Sequence, residues 1–241
     1  AMEAESRAGA IQARLMLWPD KQTINSIGNT THFLGFGFSL GYREGLDKVP
    51  TARKEIAYPS GAAVIFRCSA LKQVGLLDEV MWMYNEDQDL GWRLWLAGWS
   101  CLMEPTAVVY HKYEFSRSIT KYYWMDRNRV IAMLKNYHWL TLLLVAPPFI
   151  LMEGGLTLFS FTNGWWPEKK KVWKYFFNTK NLSYIMAERK RIQAARVTKE
   201  KDIIRLFSGR IWYQEVDDVK LRLINPVFDA YWKIVRAVIS R

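Results

Sequence analysis

The spacing of apolar and polar residues changes several times along the chain, and each change marks an element. Ala10–Leu17 (AIQARLML) is a short apolar run bounded by Gly9 and Pro19 and reads as a strand. His32–Phe38, in a Gly-rich stretch, is a second strand pattern, and the polar, turn-rich residues 41–57, with Gly45 and Pro50, read as a loop. Ala62–Cys68 (AAVIFRC) is continuously apolar, the pattern of a strand buried on both faces. Ser69 can cap a short helix through Val74, which Gly75 ends. Asn85 is placed to cap a helix to about Ala97, with Gly98 just past its end. On it Leu90, Leu94 and Ala97 share a face that Trp92, Trp95 and Leu96 widen. A strand over Thr106–Tyr110 leads to His111, and Arg117–Asn136 carries the spacing of an amphipathic helix. Strands and helices alternate, so the pattern predicts an α/β core for residues 1–136.

The pattern then changes character. Trp139–Met152 (WLTLLLVAPPFILM) has no charge, Glu153-Gly-Gly interrupts it, and Leu156–Phe161 resumes it. Trp139 through Thr162 is 24 residues, enough for one bilayer crossing at ~20 residues per span but not for two. A single crossing conflicts with the lysines at 169–171, which would mark their side as cytoplasmic and leave the α/β core outside. Pro147, Pro148 and the Gly pair also oppose a continuous helix. Residues 137–166 are therefore expected to form a broken, in-plane or re-entrant membrane-associated element, with a buried pair of core helices as the alternative. Residues 167–241 read as a basic, amphipathic helical tail. Within it Lys169–Arg196 sets Trp173, Phe176, Phe177, Leu182, Ile185, Met186 and Ile192 at helical intervals among cations, the layout of an interfacial helix. A helix packed on the core with a solvated back fits the same spacing.

Charge sharpens this division. The net charge is +11 over 241 residues. Residues 1–166 hold 16 Lys/Arg against 15 Asp/Glu, and residues 167–241 hold 18 against 8, so nearly all of the excess follows the most apolar segment. Such a tail suits an anionic membrane surface, where each nearby cation is worth about 1 kcal/mol; nucleic acid attracts the same charge. Half of the residues are hydrophobic, which excludes a disordered chain. Cys68 and Cys101 stand at a spacing that fits neither a disulfide framework nor a zinc site, as in a reducing compartment. The opening AMEAESRAG has no apolar core of a signal peptide, and its abrupt start is that expected of a fragment.

The candidate chemistry lies in MYNEDQDLGWRLWLAGW, Met83 to Trp99, with Glu86, Asp87 and Asp89 within four residues. Asp87-Gln-Asp89 has the D-x-D form that holds a divalent cation, but residues two apart on a helix do not face each other. A catalytic base fits better: Glu86 and Asp87 fall in the first turn, where the helix dipole favours the ionised form by ~0.3–1 kcal/mol. Asp89 should point elsewhere, toward Arg93 at i+4. A helix start that is merely acidic is the plainer reading.

The surrounding motifs weigh on that choice. In order, GAIQARLML with PDKQTINSIGN, SGAAVIFRCSALKQVGLLDE, MYNEDQDLGWRLWLAGW, AVVYHK and YYWMDRNR resemble the second half of a family 2 inverting glycosyltransferase of the GT-A fold, in its bacterial rhamnosyltransferase-like branch. The resemblance covers about residues 9–136. It implies that residues 1–136 are the acceptor-side half of the catalytic domain, lacking the Rossmann-like half that binds the donor nucleotide and ends in the D-x-D. It implies that Gly61 and Ala62 line the acceptor side of the cleft, that Asp87 is the base with Glu86 beside it, and that His111 touches the metal or the diphosphate. The metal would be Mg2+ or Mn2+, the donor a nucleotide-diphospho-sugar, the acceptor a lipid-linked glycan, and the location the cytoplasmic face of the membrane; no nucleic acid is expected. Asp217-Asp218 lacks the context of a D-x-D.

Arg127 and Arg129 in Asp126-Arg-Asn-Arg can reach a phosphate, or pair with Asp126 instead. Trp92, Trp95 and Trp99 can stack on a sugar, although their place in an apolar helix favours packing. Two rivals remain. A processive polysaccharide synthase would need Gln-x-x-Arg-Trp and several spans, and neither is present. A non-catalytic basic membrane- or nucleic-acid-binding module explains the tail but not the ordered motifs.

Overall fold

The computed structural model describes residues 1–113, 119–211 and 219–240. It is a mixed α/β structure. A ten-residue strand β1 (Ala8–Leu17) forms the centre of a five-stranded sheet. On one side it pairs antiparallel with β2 (Ile24–Ser26) and, nearer its start, with β6 (Val64–Phe66). On the other it runs parallel to β7 (Ser100–His111), which in turn pairs with the short β5 (Lys54–Glu55). The β1–β7 register jumps from Ala13 opposite Glu104 to Arg14 opposite Val108. Pro105, which has no N–H for the ladder, falls in the looped-out residues.

Several elements depart from the pattern in the sequence. The 32–38 segment is the turn and return of a hairpin, β3 (Asn29–Thr31) with β4 (Gly37–Ser39). Gly35 sits at φ +85° and the His32 N–H donates to the Phe36 carbonyl at 2.7 Å. The 62–68 run is strand only over Val64–Phe66, and Ile65 is 52% exposed rather than buried. A continuous apolar run misleads at a sheet margin, where one face lacks a covering layer. Helix α1 (Cys68–Val74) starts one residue before Ser69, with Arg67 as N-cap. The Arg67 side chain instead donates to the carbonyls of Met2, Glu5 and Ala8.

Helix α2 (Glu86–Leu96) ends as expected, with Gly98 at φ +87°. It lies close against the chain before β6: a Cβ on Gly91 would stand 2.4 Å from the Tyr58 Cβ. Trp92 and Trp95 are buried, and the Trp95 indole donates to the Ile56 carbonyl at 3.0 Å, so these rings are core. Helix α3 (Ile119–Asn136) covers the described part of the 117–136 pattern; Arg117 lies outside the described residues, as do Asp217 and Asp218.

The apolar segment is one continuous helix, α4 (Trp139–Thr162), through both prolines and the glycine pair. Pro148 leaves the Leu144 carbonyl without its helical donor; the Tyr231 hydroxyl donates to that carbonyl at 2.6 Å. Glu153, the only charge on α4, pairs with Arg129 of α3 and with Lys169 of α5 (Trp166–Phe177), the Lys169 Nζ lying 2.6 Å from Glu153 and 2.7 Å from Asp126. Lys169 is therefore fully buried rather than part of the exposed basic face expected of this helix. Helix α6 (Thr179–Ala194) packs on α3 through Ile185 and Ile192, the short α7 is Glu200–Ile204, and α8 (Val219–Ile239) closes the chain. Trp232 of α8 stacks on Phe33 at 5.0 Å, and one hydrophobic cluster extends from Ala10 through Leu94, Val145 and Ile192 to Val235.

Candidate functional site

Asp87 is delivered by an unusual stretch of backbone. Trp82, Tyr84 and Asn85 all have φ between 56° and 65°, a region that costs a residue with a side chain about 1–3 kcal/mol. Asn128 of α3 holds this loop. Its amide reaches the carbonyls of Met81 at 2.8 Å, Met83 at 2.9 Å and Tyr84 at 2.7 Å. Arg127 donates to the Val80 carbonyl next door. Asn85 precedes α2 but its side chain does not cap it; the amide donates to Gln88 instead.

The loop leaves the Asp87 carboxylate accepting from the Gly61 N–H at 3.2 Å and from the Gln88 N–H at 2.8 Å. Gly61 is exposed, and a Cβ there would meet no atom within 4 Å. The carboxylate is thus half-buried and borders open space, and no cation among the described residues pairs with it. Burial, then the adjacent Glu86 charge, push the Asp87 carboxyl up to about 7, against the two amide hydrogen bonds. This reverses the expected direction: desolvation outweighs the helix dipole. Burial also raises Glu86, whose Oε2 finds no hydrogen-bond partner among the described residues. Buried Tyr58 lies close enough to both carboxylates that, after burial, their charges raise its hydroxyl further.

Asp89 has a different fate. Burial alone would raise it, but Lys135, Arg93 and the Asn136 amide hold it at about 2. Arg93 Nε lies 2.8 Å and Lys135 Nζ 3.1 Å from Asp89 Oδ2, and Lys135 also meets Asp78 at 2.6 Å. The i+4 pairing with Arg93 is observed, and Asp89 is a buried structural anion.

The structure thus brings Asp87, Glu86 and Gly61 together, with Ala62 in the same turn, its N–H 3.4 Å from Ser60 Oγ. A buried polar network lies beneath: Gln12 of β1 accepts from the Ser60 N–H at 2.6 Å and donates to Ser26 at 3.1 Å. Among the described residues no hydrogen bond links His111 to this network or to Asp87: at the end of β7, its Nδ1 lies 2.8 Å from Asn25 Oδ1, and Asn25 and Ser26, consecutive in β2, project to opposite faces of the sheet. The Asn25 contact engages Nδ1 only, so Nε2 is the ring atom a ligand could meet. Among the described residues no three His, Cys, Asp or Glu side chains gather as a metal site, so His111 offers one ligand rather than a set.

Arg127 and Arg129 do not join this site. Arg129 is 1% exposed, donates to the Leu34 carbonyl at 3.1 Å and pairs with Asp126 and Glu153. Arg127, 4% exposed, serves the Val80 carbonyl and lies 4.3 Å over the Trp124 ring. Their charges are consumed in folding the loop and fastening α3 to α4. Asn128, between them, carries one signal in the sequence, an amide in a helix interior where Asn is a poor helix former.

No protein-family model matches the chain. Over 74 residues it is 38% identical to the N-acetylglucosaminyl-diphospho-decaprenol L-rhamnosyltransferase of Mycobacterium tuberculosis, in each of two strains. The match takes in 31% of this chain and 24% of the relative, so the chain spans about a quarter of the length of the curated relatives it matches. This partial likeness supports a glycosyltransferase relationship.

Proposed function

We propose that these residues form the acceptor side of an inverting glycosyltransferase site of the family 2, GT-A type. A sugar passes from a nucleotide-diphospho-sugar to a hydroxyl of a lipid-linked glycan at the cytoplasmic face of the membrane. The observation that supports this most directly is the Asp87 carboxylate, unpaired by any described cation, hydrogen-bonded to the exposed Gly61 amide beside open space. Asp87 takes the acceptor proton as the hydroxyl oxygen attacks the anomeric carbon and the diphosphate departs from the opposite face, so configuration inverts. Glu86, with an unpartnered oxygen, can accept from a neighbouring acceptor hydroxyl and orient it. The Gly61–Ala62 turn offers a flat, side-chain-poor surface for a sugar ring. His111 would supply one ligand to the Mg2+ or Mn2+ that neutralises a departing diphosphate.

The test is Asp87→Asn in the full-length protein, assayed with a water-soluble acceptor in detergent. A general base contributes ~10²–10⁴-fold; a loss of turnover in that range, with donor binding and melting retained, supports the role. Near-normal turnover removes it.

A further inference from the structure

We propose that α4, α8 and the outward side of α5 form a single surface that lies in the plane of an anionic bilayer, with the ionised groups of the core kept on the protein side. Two helices are apolar on the sides they expose. On α4, Leu143, Ile150, Leu151, Leu158 and Phe161 are all more than half exposed and recur at helical intervals, while Val145 and Pro148 are buried on the opposite face. On α8, Leu223, Val227, Ile234 and Val238 are exposed while Phe228, Trp232 and Val235 are buried. Tyr231 of α8 bonds to Leu144 of α4, so the two stripes lie on neighbouring helices. An exposed apolar surface of this extent marks an interaction site.

Charge selects the occupant. Helix α5 exposes Trp173 and Phe177 with Lys170, Lys171 and Lys174 between and beside them. It is fixed to the end of α4 by Trp166, stacked on Phe161 at 4.1 Å and set edge-on to Trp173 at 6.0 Å. At the other end of α4, Trp139 is exposed beneath the Arg189 guanidinium at 3.9 Å. Apolar stripes ended by tryptophans and flanked by lysines match an anionic headgroup layer. A second copy of the chain would instead bring two strongly basic tails together.

The ion cluster sets the orientation. Glu153 lies midway along α4 and pairs with Arg129 and Lys169, which also hold Asp126. Standing α4 across a membrane would carry α3, α5 and these four charges into the hydrocarbon. Lying flat, α4 leaves them above the lipid. This attachment does not depend on the role proposed above for Asp87.

Flotation of the purified chain with vesicles of phosphatidylcholine and phosphatidylglycerol, against phosphatidylcholine alone, tests this. The chain is expected to float with the mixed vesicles, with bromine placed shallowly in the acyl chains quenching its tryptophans more than bromine placed deep. Leu143→Asp with Ile150→Asp, and separately Leu223→Asp with Val227→Asp, should each lower the bound fraction by about tenfold or more with unchanged melting. Lys170→Gln, Lys171→Gln and Lys174→Gln together should weaken binding most at low salt. Failure to float, or Asp variants that float like the parent, overturns the proposal, as do variants that split a dimer in solution without affecting flotation. Because Asp87→Asn is read on a soluble acceptor, either idea can fail alone.

Discussion

Asp87 and Asp89, two residues apart, show how far one helical step separates chemical roles. Asp89 points into the body of the protein, between Arg93 and Lys135. Asp89→Asn should cost about 3–5 kcal/mol, because it leaves two buried cations short of their partner; urea unfolding followed by circular dichroism would measure it. Asp87 behaves in the opposite sense. Its folded-state carboxyl binds a proton up to about pH 7, whereas in the unfolded chain it gives one up near 3.8. Between those values the folded state holds more protons, so this group's contribution to stability falls as pH rises through that window. Asp87→Asn is therefore expected to melt higher than the parent at pH 8, by about 2–4 °C for ~1 kcal/mol in a chain of this size, and to lose that advantage near pH 4. On the role proposed for Asp87, the same proton should make kcat/KM rise with pH toward a plateau above about 7, a limb absent from the residual activity of Asp87→Asn.

At the scale of elements, the loop before α2 is strained and α3 holds it. Three residues with positive φ precede Glu86, and the Asn128 amide bonds three of the carbonyls between Met81 and Tyr84. On the role proposed for Asp87, Asn128→Ala is expected to lower kcat by about tenfold, for a displacement of that carboxylate by less than an ångström, while KM for the donor changes little. Proteolysis between Met81 and Asn85 should accelerate alongside. A loss of kcat without faster cleavage would count against the clamp. The prolines of α4 follow the same logic: a helix tolerates a missing backbone donor when a neighbour such as Tyr231 supplies one.

At the scale of the whole molecule, the apolar and basic segments are built into the fold rather than appended to it. The Trp232 ring of the last helix closes the core against Phe33 of the β3–β4 hairpin and is 1% exposed. Trp232→Ala should cost about 3–5 kcal/mol, measured as a lower urea midpoint at unchanged slope. An independent C-terminal tail would show no such effect. The two buried ion clusters, around Asp89 and around Asp126, tie α3 to α2, α4 and α5. Through α3 they connect the exposed apolar helices with the loop that presents Asp87.

Local rules carried much of this. The strand at 10–17, the end of α2 at Gly98, the placement of Asp89 against Arg93 and the burial of the tryptophans of α2 all follow from periodicity and short-range spacing, which depend only on neighbours in the chain. Glu86, Asp87 and Gly61 are implied as a site by the resemblance of the ordered motifs, and the fold places the three side by side. What spacing could not decide were interactions between distant positions. Whether an arginine meets a phosphate or Glu153, whether a proline breaks a helix or Tyr231 repairs it, and whether an acid's proton affinity follows the dipole or its burial are settled by groups 20 to 90 residues away. Desolvation and buried pairing exist only once the chain has folded, and they set the charge and reach of each side chain in this site.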